Sequence, residues 1–276
     1  MAQLLQEMSV TVLNETGMVY CIYKVLPYHM NISAIQTNKI TPGPTKLVDI
    51  LDKHVSSFRE RSILVITSKI VAICEGAIRK CGTVSKQKLI ETEADMFIPP
   101  SDNQYDVTLT IKNNMLTPSS GIDESNGNGY FILWPKNPQE SANTVRQYLY
   151  KRFSVKYAGI IITDSKTTPL RWGTTGIALA HSGFSALNNY IGTPDIFKRT
   201  MHKTKANIAD GLAAAAVAVM GEGNEQTPLA LITDVPFVTF RTTNPSKREL
   251  DGIHIDIRDD LYAPILNSAG WIKTKK

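Results

Sequence analysis

Two short apolar runs limit the folds that are open to this chain of 276 residues. Residues 63–67 and 158–162 are uncharged and rich in β-branched side chains, so each run predicts a buried strand. Both runs end in polar residues, Ser68-Lys69 after the first and Asp164-Ser165 after the second. A third polar turn, at residues 221–225, follows an alanine-rich segment that predicts a helix. The chain therefore places cationic and oxygen-bearing side chains directly after buried elements.

The remaining apolar spacing predicts helices from Pro44 to about residue 58, over 86–96, from Pro138 to 153 and over 206–220. Gly221 is expected to end the last helix in the left-handed conformation. Strands are predicted at 31–35, 107–111, 130–133, 228–233 and 236–240, and an ordered element at 261–266. Residues 10–13 and 18–26 suit a hairpin. We expect residues 1–30 to be an extension dispensable for chemistry, with Met30 as an alternative start, and residues 31–276 to form one domain.

Composition excludes several classes of protein. With 42% hydrophobic and 20% charged residues, the chain is globular, and its net charge of +5 comes from dispersed basic residues. No Arg/Lys stripe alternates with aromatic residues, so nucleic acid is not expected as a partner. Cys21, Cys74 and Cys81 are too few for a disulfide framework. No apolar run is long enough to span a bilayer and no signal peptide is seen, so we expect a cytoplasmic protein.

The most polar loop is the segment from Gly121 to Asn126. It contains two carboxylates, Asp123 and Glu124, followed by the hydroxyl of Ser125, and further glycines lie downstream. Gly, Asn and Ser interrupt regular structure, so this segment is predicted to be a loop that presents oxygen atoms. Oxygen ligands on a loop suit hard cations such as Mg or Mn. The alternative is an ordinary polar surface turn.

Taken together, the polar turns provide what a nucleotide–metal site needs. Carboxylates hold cations that bridge phosphate oxygens, and a lysine such as Lys69 supplies a mobile positive charge. Each motif also has a structural explanation, as a strand end, an Asx turn or a helix cap. Arg171-Trp172 is either an anion clamp or a surface pair, and His181 is predicted to be structural. The GxxxxGK[ST] and GxSxG motifs are absent, which argues against a Walker-type site and a serine hydrolase.

The order of these motifs resembles that of a known family. The motifs are Thr67-Ser68-Lys69, Glu75-Gly76, residues 121–126, Ile162-Thr163-Asp164-Ser165, Arg171-Trp172-Gly173, Ala209-Asp210 and Met220-Gly221-Glu222-Gly223. The set resembles the coenzyme F420 (deazaflavin) γ-glutamyl ligase family over roughly residues 32–271. Residues 179–184 and 226–232 are more narrowly similar to the branch labelled putative folate metabolism γ-glutamate ligase.

The resemblance implies an α+β fold with mixed or antiparallel sheets, packed helices and an intertwined homodimer. It also implies a GTP-dependent ligase that uses Mg or Mn to join the amine of L-glutamate to an acceptor carboxylate. The leading expectation is a folate- or pterin-type acceptor, and the first alternative is the coenzyme F420 precursor. A second alternative is a GTP- and metal-binding protein without catalysis. Departures from the family at Ile73 and residues 38–40 leave ATP open as the nucleotide.

The resemblance also assigns residues to roles. Lys69, Asp123 and Asp164 would be catalytic, with one cation on Asp123 and Asp164 and a second on Ser165 and Glu222. Nucleotide contacts would come from Thr37, Asn38, Lys39, Ile40, Ser68, Lys69, Asn126, Met220, Gly221, Glu222, Gly223, Asn224, Glu225, Gln226 and Thr227. Amide formation requires an activated carboxylate, so we expect an acyl phosphate formed from the nucleotide, which the amine of glutamate then attacks.

Overall fold

A computed structural model describes residues 9–13, 19–23 and 29–274 of the chain. These residues form an α+β protein, as predicted. The helices are α1 (Leu47–His54), α2 (Ser68–Glu75), α3 (Lys86–Glu93), α4 (Pro138–Phe153), α5 (Ile208–Met220), α6 (Lys247–Asp251) and α7 (Ala263–Leu266). The strands are β1 (Ser9–Leu13), β2 (Val19–Tyr23), β3 (Asn31–Ile35), β4 (Ser62–Thr67), β5 (Ile78–Lys80), β6 (Met96–Ile98), β7 (Leu109–Lys112), β8 (Met115–Pro118), β9 (Tyr130–Ile132), β10 (Ala158–Thr167), β11 (Thr174–Ser182), β12 (Leu187–Asn189), β13 (Lys205–Asn207), β14 (Leu229–Thr233) and β15 (Ile272–Lys273).

A mixed five-stranded sheet lies at the centre of the molecule, with strand order β11-β10-β4-β14-β3. Strands β4 and β10 are parallel, and the other neighbouring pairs are antiparallel. The apolar runs that predicted two buried strands form this parallel pair. Their lack of polar residues follows from burial on both faces of the sheet.

Helices cover both faces of the central sheet. Leu64 and Ile66 of β4 point to a core built with α1, α2 and α4. Ile63 and Val65, one position out of phase, point to a second core built with α5. This alternation is the period of two that an extended strand imposes on its side chains. The sheet is therefore the middle layer of three, and its strand ends are fixed from both sides.

Helix α5 approaches β11 closely because the facing residues are small. Ala213 and Ala216 are fully buried on the helix. A Cβ atom at Gly176 of β11 would lie 2.4 Å from the backbone oxygen of Ala213. The alanine-rich sequence of the helix thus brings its backbone against the strand that pairs with β10.

Smaller sheets surround the central one. Strands β15, β6, β7 and β8 form a four-stranded sheet, β5 pairs with β9, and β12 pairs with β13. A third core connects α2 and α3 to β9 through Ala72, Ile73, Leu89, Ile90 and Ile132. In the described part of the chain, no helix combines the length and the apolar character needed to cross a membrane.

Two predicted helices have different boundaries in the structure. Helix α1 begins at Leu47 and not at Pro44, because the Asp49 carboxylate accepts the Lys46 backbone N–H at 3.1 Å. Helix α3 ends at Glu93, since the following residues extend and enter β6. Local propensity was right about the existence of both helices but could not place these ends.

Three other predictions for the chain were wrong in detail. The expected strand at 236–240 is not formed among the described residues, where Phe240 makes only an isolated bridge to Phe184. Strand β10 does not stop before Asp164 but continues to Thr167. Gly221 has φ 80° and ψ 168°, which lies outside the left-handed helical region and is open essentially to glycine alone.

The N-terminal hairpin is confirmed as far as its strands are described. Strands β1 and β2 are antiparallel, with Val12 opposite Tyr20, and they pair with no other described strand. The turn predicted between them lies outside the described residues. Strand β3 follows and joins the central sheet through β14.

Candidate active site

The predicted site residues meet at the carboxyl end of the parallel pair β4–β10. The last pair in register is Thr67 with Thr163. Beyond it, β4 continues directly into α2 at Ser68, while β10 continues as an arm that pairs only with β11. The carboxyl ends of parallel strands are where open sheets commonly bind ligands. This edge therefore brings Lys69, from the first turn of α2, to the same end of the sheet as Asp164.

Lys69 forms an ion pair with Asp123. The Lys69 Nζ atom donates to Asp123 Oδ2 at 2.6 Å and to the Ser125 backbone oxygen at 3.0 Å. Ser125 also donates to Asp123, from its backbone N–H at 2.7 Å and from its hydroxyl at 2.8 Å. Burial raises the pKa of Asp123, but the Lys69 ammonium and the Ser125 hydrogen bonds outweigh it and hold that pKa below its usual range. Asp123 is therefore ionised at neutral pH.

The loop around Asp123 is held by its own backbone. Asp123 and Ile132 exchange two backbone hydrogen bonds, of 3.0 and 2.7 Å, which fasten the loop to β9. Asn126 has φ +56°, a left-handed conformation that asparagine tolerates better than most residues. Its side-chain amide donates to the Gly223 backbone oxygen at 2.9 Å. The loop is thus an ordered part of the site and contacts the turn after α5.

Asp164 lies in a different environment. The indole N–H of Trp134 donates a hydrogen bond to its Oδ2, and the Ser165 backbone N–H donates to its Oδ1 at 2.9 Å. Burial raises the pKa of Asp164 to about 6, and the charge of Asp123 adds to this, while the two hydrogen bonds oppose it. A Cβ atom at Gly121 would lie 2.0 Å from Trp134 Nε1, so the glycine leaves the indole its place beside Asp164.

Ser165 and Glu222 form the second polar pair of the site. The Ser165 hydroxyl lies 2.7 and 2.9 Å from the two carboxylate oxygens of Glu222, and the Thr174 hydroxyl lies 3.3 Å from one of them. Glu225 accepts the Gly223 backbone N–H at 2.9 Å, which folds the turn back on itself. The turn after α5 therefore meets the β10–β11 arm through Glu222.

The residues predicted to contact a nucleotide fall into two groups. Asn38, Lys39, Asn126, Gly221, Gly223, Asn224, Glu225 and Gln226 are exposed along the loops at this edge. The Thr37 backbone N–H donates to the Gln226 backbone oxygen at 2.8 Å, so two of these loops are joined. Ser68 and Met220 are buried, Ile40 packs against the core, and Thr227 donates to the Met220 backbone oxygen. Any nucleotide contact of Met220 is therefore left to its backbone.

Trp134 was missed by the sequence-based reasoning. It follows β9 in an apolar context, and its ring is 5% exposed. A buried indole carries one N–H that requires an acceptor, and this is the signal that could have linked it to a carboxylate.

Trp172, in contrast, is 90% exposed and contacts the ring of Tyr105, which favours the surface-pair interpretation. His181 is buried and its pKa falls to about 4 by desolvation, as suits a structural histidine.

The site offers Mg or Mn one or two carboxylates each, and not a complete set of protein ligands. Among the residues that the structure describes, no group of three or more His, Cys, Asp or Glu side chains could enclose a metal. Mg commonly binds through one or two carboxylates, with phosphate and water oxygens as its other ligands. Asp123 lies close enough to Asp164 for its charge to raise the pKa of that carboxyl group, and a cation between them would relieve this repulsion. The Ser165 hydroxyl and the Glu222 carboxylate offer a second pair of oxygen donors. The oxygen donors are also the hard ligands that these cations prefer.

Comparison with known proteins identifies relatives of this chain. Residues 34–234 match the family model described as F420-0:Gamma-glutamyl ligase. A protein of Methanococcus maripaludis named coenzyme F420:L-glutamate ligase is 32% identical over 206 residues, which are 69% of this chain and 82% of the relative. Proteins with the same name are 28% identical in Methanopyrus kandleri, over 78% of this chain and 87% of theirs, and 41% identical in Methanocaldococcus jannaschii, over 46% and 51%.

These names overturn the expected folate- or pterin-type acceptor, since the family and the relatives are named for coenzyme F420. That expectation relied on residues 179–184 and 226–232. In the structure these segments contribute mainly to β11 and β14 of the central sheet, where Ala180, Leu229 and Ile232 are buried. The identity of such residues is determined by packing of the sheet, so it does not indicate which acceptor is bound.

Proposed function

The chain belongs to the F420-0:gamma-glutamyl ligase family, and from this membership we propose that it joins L-glutamate to the acceptor of coenzyme F420 synthesis. The bond formed would be an amide between the amine of glutamate and a carboxylate of the acceptor. The nucleotide, GTP in the first instance, would activate that carboxylate as an acyl phosphate. ATP is the alternative nucleotide and belongs in the same assay.

One observation carries the proposal: four separate segments meet at one end of the central sheet and bring together Lys69, Asp123, Asp164, Ser165 and Glu222. Phosphoryl transfer relies largely on positioning and on charge stabilisation, so an array of fixed charges is what it requires. Gly221 and Gly223 carry no side chain that would block a ligand from this turn, whose two glycine N–H groups now bond Val217 and Glu225. The geometry thus supports a nucleotide-binding edge and not merely a polar surface.

The side chains have separable roles in this proposal. Lys69, which now neutralises Asp123, would turn its ammonium to the negative charge that develops on the transferred phosphoryl group. Ser125 would keep Asp123 in place when that ion pair opens. Asp123 and Asp164 would hold one cation, and Ser165 and Glu222 a second. Mg or Mn bound there would offset phosphate charge and align the reacting oxygens.

The test is release of phosphate coupled to formation of a γ-glutamyl product. Wild-type protein is expected to turn over with GTP, Mn or Mg, L-glutamate and the F420-0 acceptor. Asp123→Asn and Asp164→Asn should each lower kcat by about 100-fold or more, because one charge of the site is lost. Circular dichroism would verify that both variants remain folded.

Asp259→Asn is the matched control, since Asp259 is an exposed aspartate outside the site. It should retain wild-type turnover. Near-normal activity of either site variant would remove the role assigned to that carboxylate. Nucleotide binding without phosphate release, with every acceptor tried, would favour the non-catalytic alternative.

We further propose that residues 31–276 act as the ligase domain of a homodimer. Support comes from large apolar side chains that lie exposed on the described surface, among them Leu170, Ile196, Phe197 and Leu261. Where such side chains form a contiguous patch, they commonly mark a protein interface. Sedimentation velocity should give twice the chain mass, and a monomer at micromolar concentration would rule the dimer out.

A further inference from the structure

A cavity borders Trp134. Its volume is about 340 Å³, and its walls include Arg79, Lys112, Lys136, Glu93, Leu133 and Trp134. None of these residues was assigned to the nucleotide or to a cation. Cavities of this size are at the small end of the range for ligand pockets, so the ligand would be a small molecule.

The charges on the cavity wall do not cancel. Lys112 is buried and paired with Glu93 at 2.7 Å, and its ammonium lies 5.4 Å from the centre of the Trp134 ring. Arg79 and Lys136 are exposed, and neither forms an ion pair with any residue between 29 and 274. Arg79 uses one N–H group on the Ile78 backbone oxygen at 2.8 Å and keeps the others available. Two cationic residues without an ion-pair partner among the described residues thus line the cavity.

The cavity and the candidate active site share one side chain. The face of Trp134 lies beneath Lys112, and its N–H contacts Asp164. Arg79 is placed by β5, which pairs with β9 immediately before Trp134. A ligand held by Arg79 and Lys136 would therefore lie beside the ring whose N–H contacts Asp164.

We infer that this pocket binds L-glutamate through its two carboxylates, an assignment that rests on the proposed ligase function. A dicarboxylate matches the two unpaired cations, and the guanidinium of Arg79 suits bidentate binding of one carboxylate. The amine, which must attack the acyl phosphate, is the polar group of glutamate that these cations leave free. The apolar wall of Leu133 and Trp134 suits the methylene groups between the carboxylates.

Arg79→Gln and Lys136→Gln test the assignment. Each is expected to raise the KM for L-glutamate by about tenfold or more, because a hydrogen bond between charged groups is lost. The KM values for nucleotide and acceptor should stay unchanged. Calorimetric titration of L-glutamate into protein with Mn and a non-hydrolysable GTP analogue should show the same weakening without requiring turnover. Both side chains are exposed, so melting temperatures should match wild type.

Lys80→Gln is the matched control, since Lys80 is the next residue along β5, is exposed and does not line the cavity. It should leave the KM for glutamate unchanged. An unaltered glutamate KM in both pocket variants, or a rise in the acceptor KM instead, would overturn the assignment. If wild-type protein forms no γ-glutamyl product, the ligase proposal fails. Binding of glutamate that depends on Arg79 in the titration would still stand as a property of the pocket.

Discussion

Among single residues, Asp123 and Asp164 show how two carboxylates of one site acquire different charges. Asp123 faces an ammonium group and keeps a lowered pKa. Asp164 is desolvated, and its pKa of about 6 is close enough to neutrality for the carboxyl group to titrate in the cell. Because the Trp134 N–H bonds the charged form of Asp164, it favours ionisation. The indole therefore raises the fraction of Asp164 that is ionised.

Replacing Trp134 with Phe should shift the pH dependence of catalysis. The variant keeps a ring beside Gly121 but loses the N–H donor, so the pKa of Asp164 should rise further above about 6. Activity that needs the carboxylate falls as pH decreases through this pKa. The acidic limb of kcat/KM should therefore move to higher pH, by about one unit.

Trp172→Phe serves as the control for that profile, because Trp172 is 90% exposed and its ring contacts Tyr105 and not Asp164. Its acidic limb should coincide with that of the wild type. An unshifted limb in the Trp134 variant would mean that Asp164 ionises independently of the indole.

Among the elements, β10 shows what local sequence can and cannot predict. Its first half was recognised because five consecutive apolar residues leave no polar face for solvent. Its second half was not, because Asp164 and Ser165 are typical turn residues and only the pairing with β11 keeps them extended. Trp134 and the unpaired cations of the cavity beside it were missed for the same reason. Their roles depend on contacts between segments distant in sequence.

The contact between α5 and β11 gives a test at this scale. Gly176→Ala should lower the free energy of unfolding by about 1–3 kcal/mol, because the new methyl group would lie 2.4 Å from the Ala213 backbone oxygen. Displacement of α5 would also pull Glu222 away from Ser165. Urea unfolding would measure the loss of stability.

Gly211→Ala, within α5 itself, should do the opposite. Its methyl group would meet no atom within 4 Å, and alanine in a helix is favoured over glycine by roughly 0.5–1 kcal/mol. A Gly176→Ala variant as stable as the wild type would show that the helix can retreat at little cost.

In the whole molecule, the described N-terminal strands stand apart from the catalytic layers. Strands β1 and β2 form their own sheet, whereas β3 is an edge strand of the central sheet. A two-stranded hairpin is marginally stable by itself. The three-layer body should therefore fold and function without it.

A chain that starts at Met30 tests this division. We expect it to lose less than about 1 kcal/mol of stability, since no described strand pairing of the central sheet is removed. Phosphate release and the sedimenting mass should equal those of the full chain. A truncated protein that is folded but inactive would place residues 1–29 in the catalytic machinery.

The order of strands in the central sheet also determines when the site can form. Strand β14 lies between β4 and β3, so one of the last strands to be synthesised inserts between two of the first. The parallel partner of β4 likewise arrives only with Ala158. Pairings so distant in sequence require large loops to close, and such topologies fold slowly. A nascent chain on the ribosome would therefore have no complete central sheet, and no assembled candidate site, until β14 has emerged.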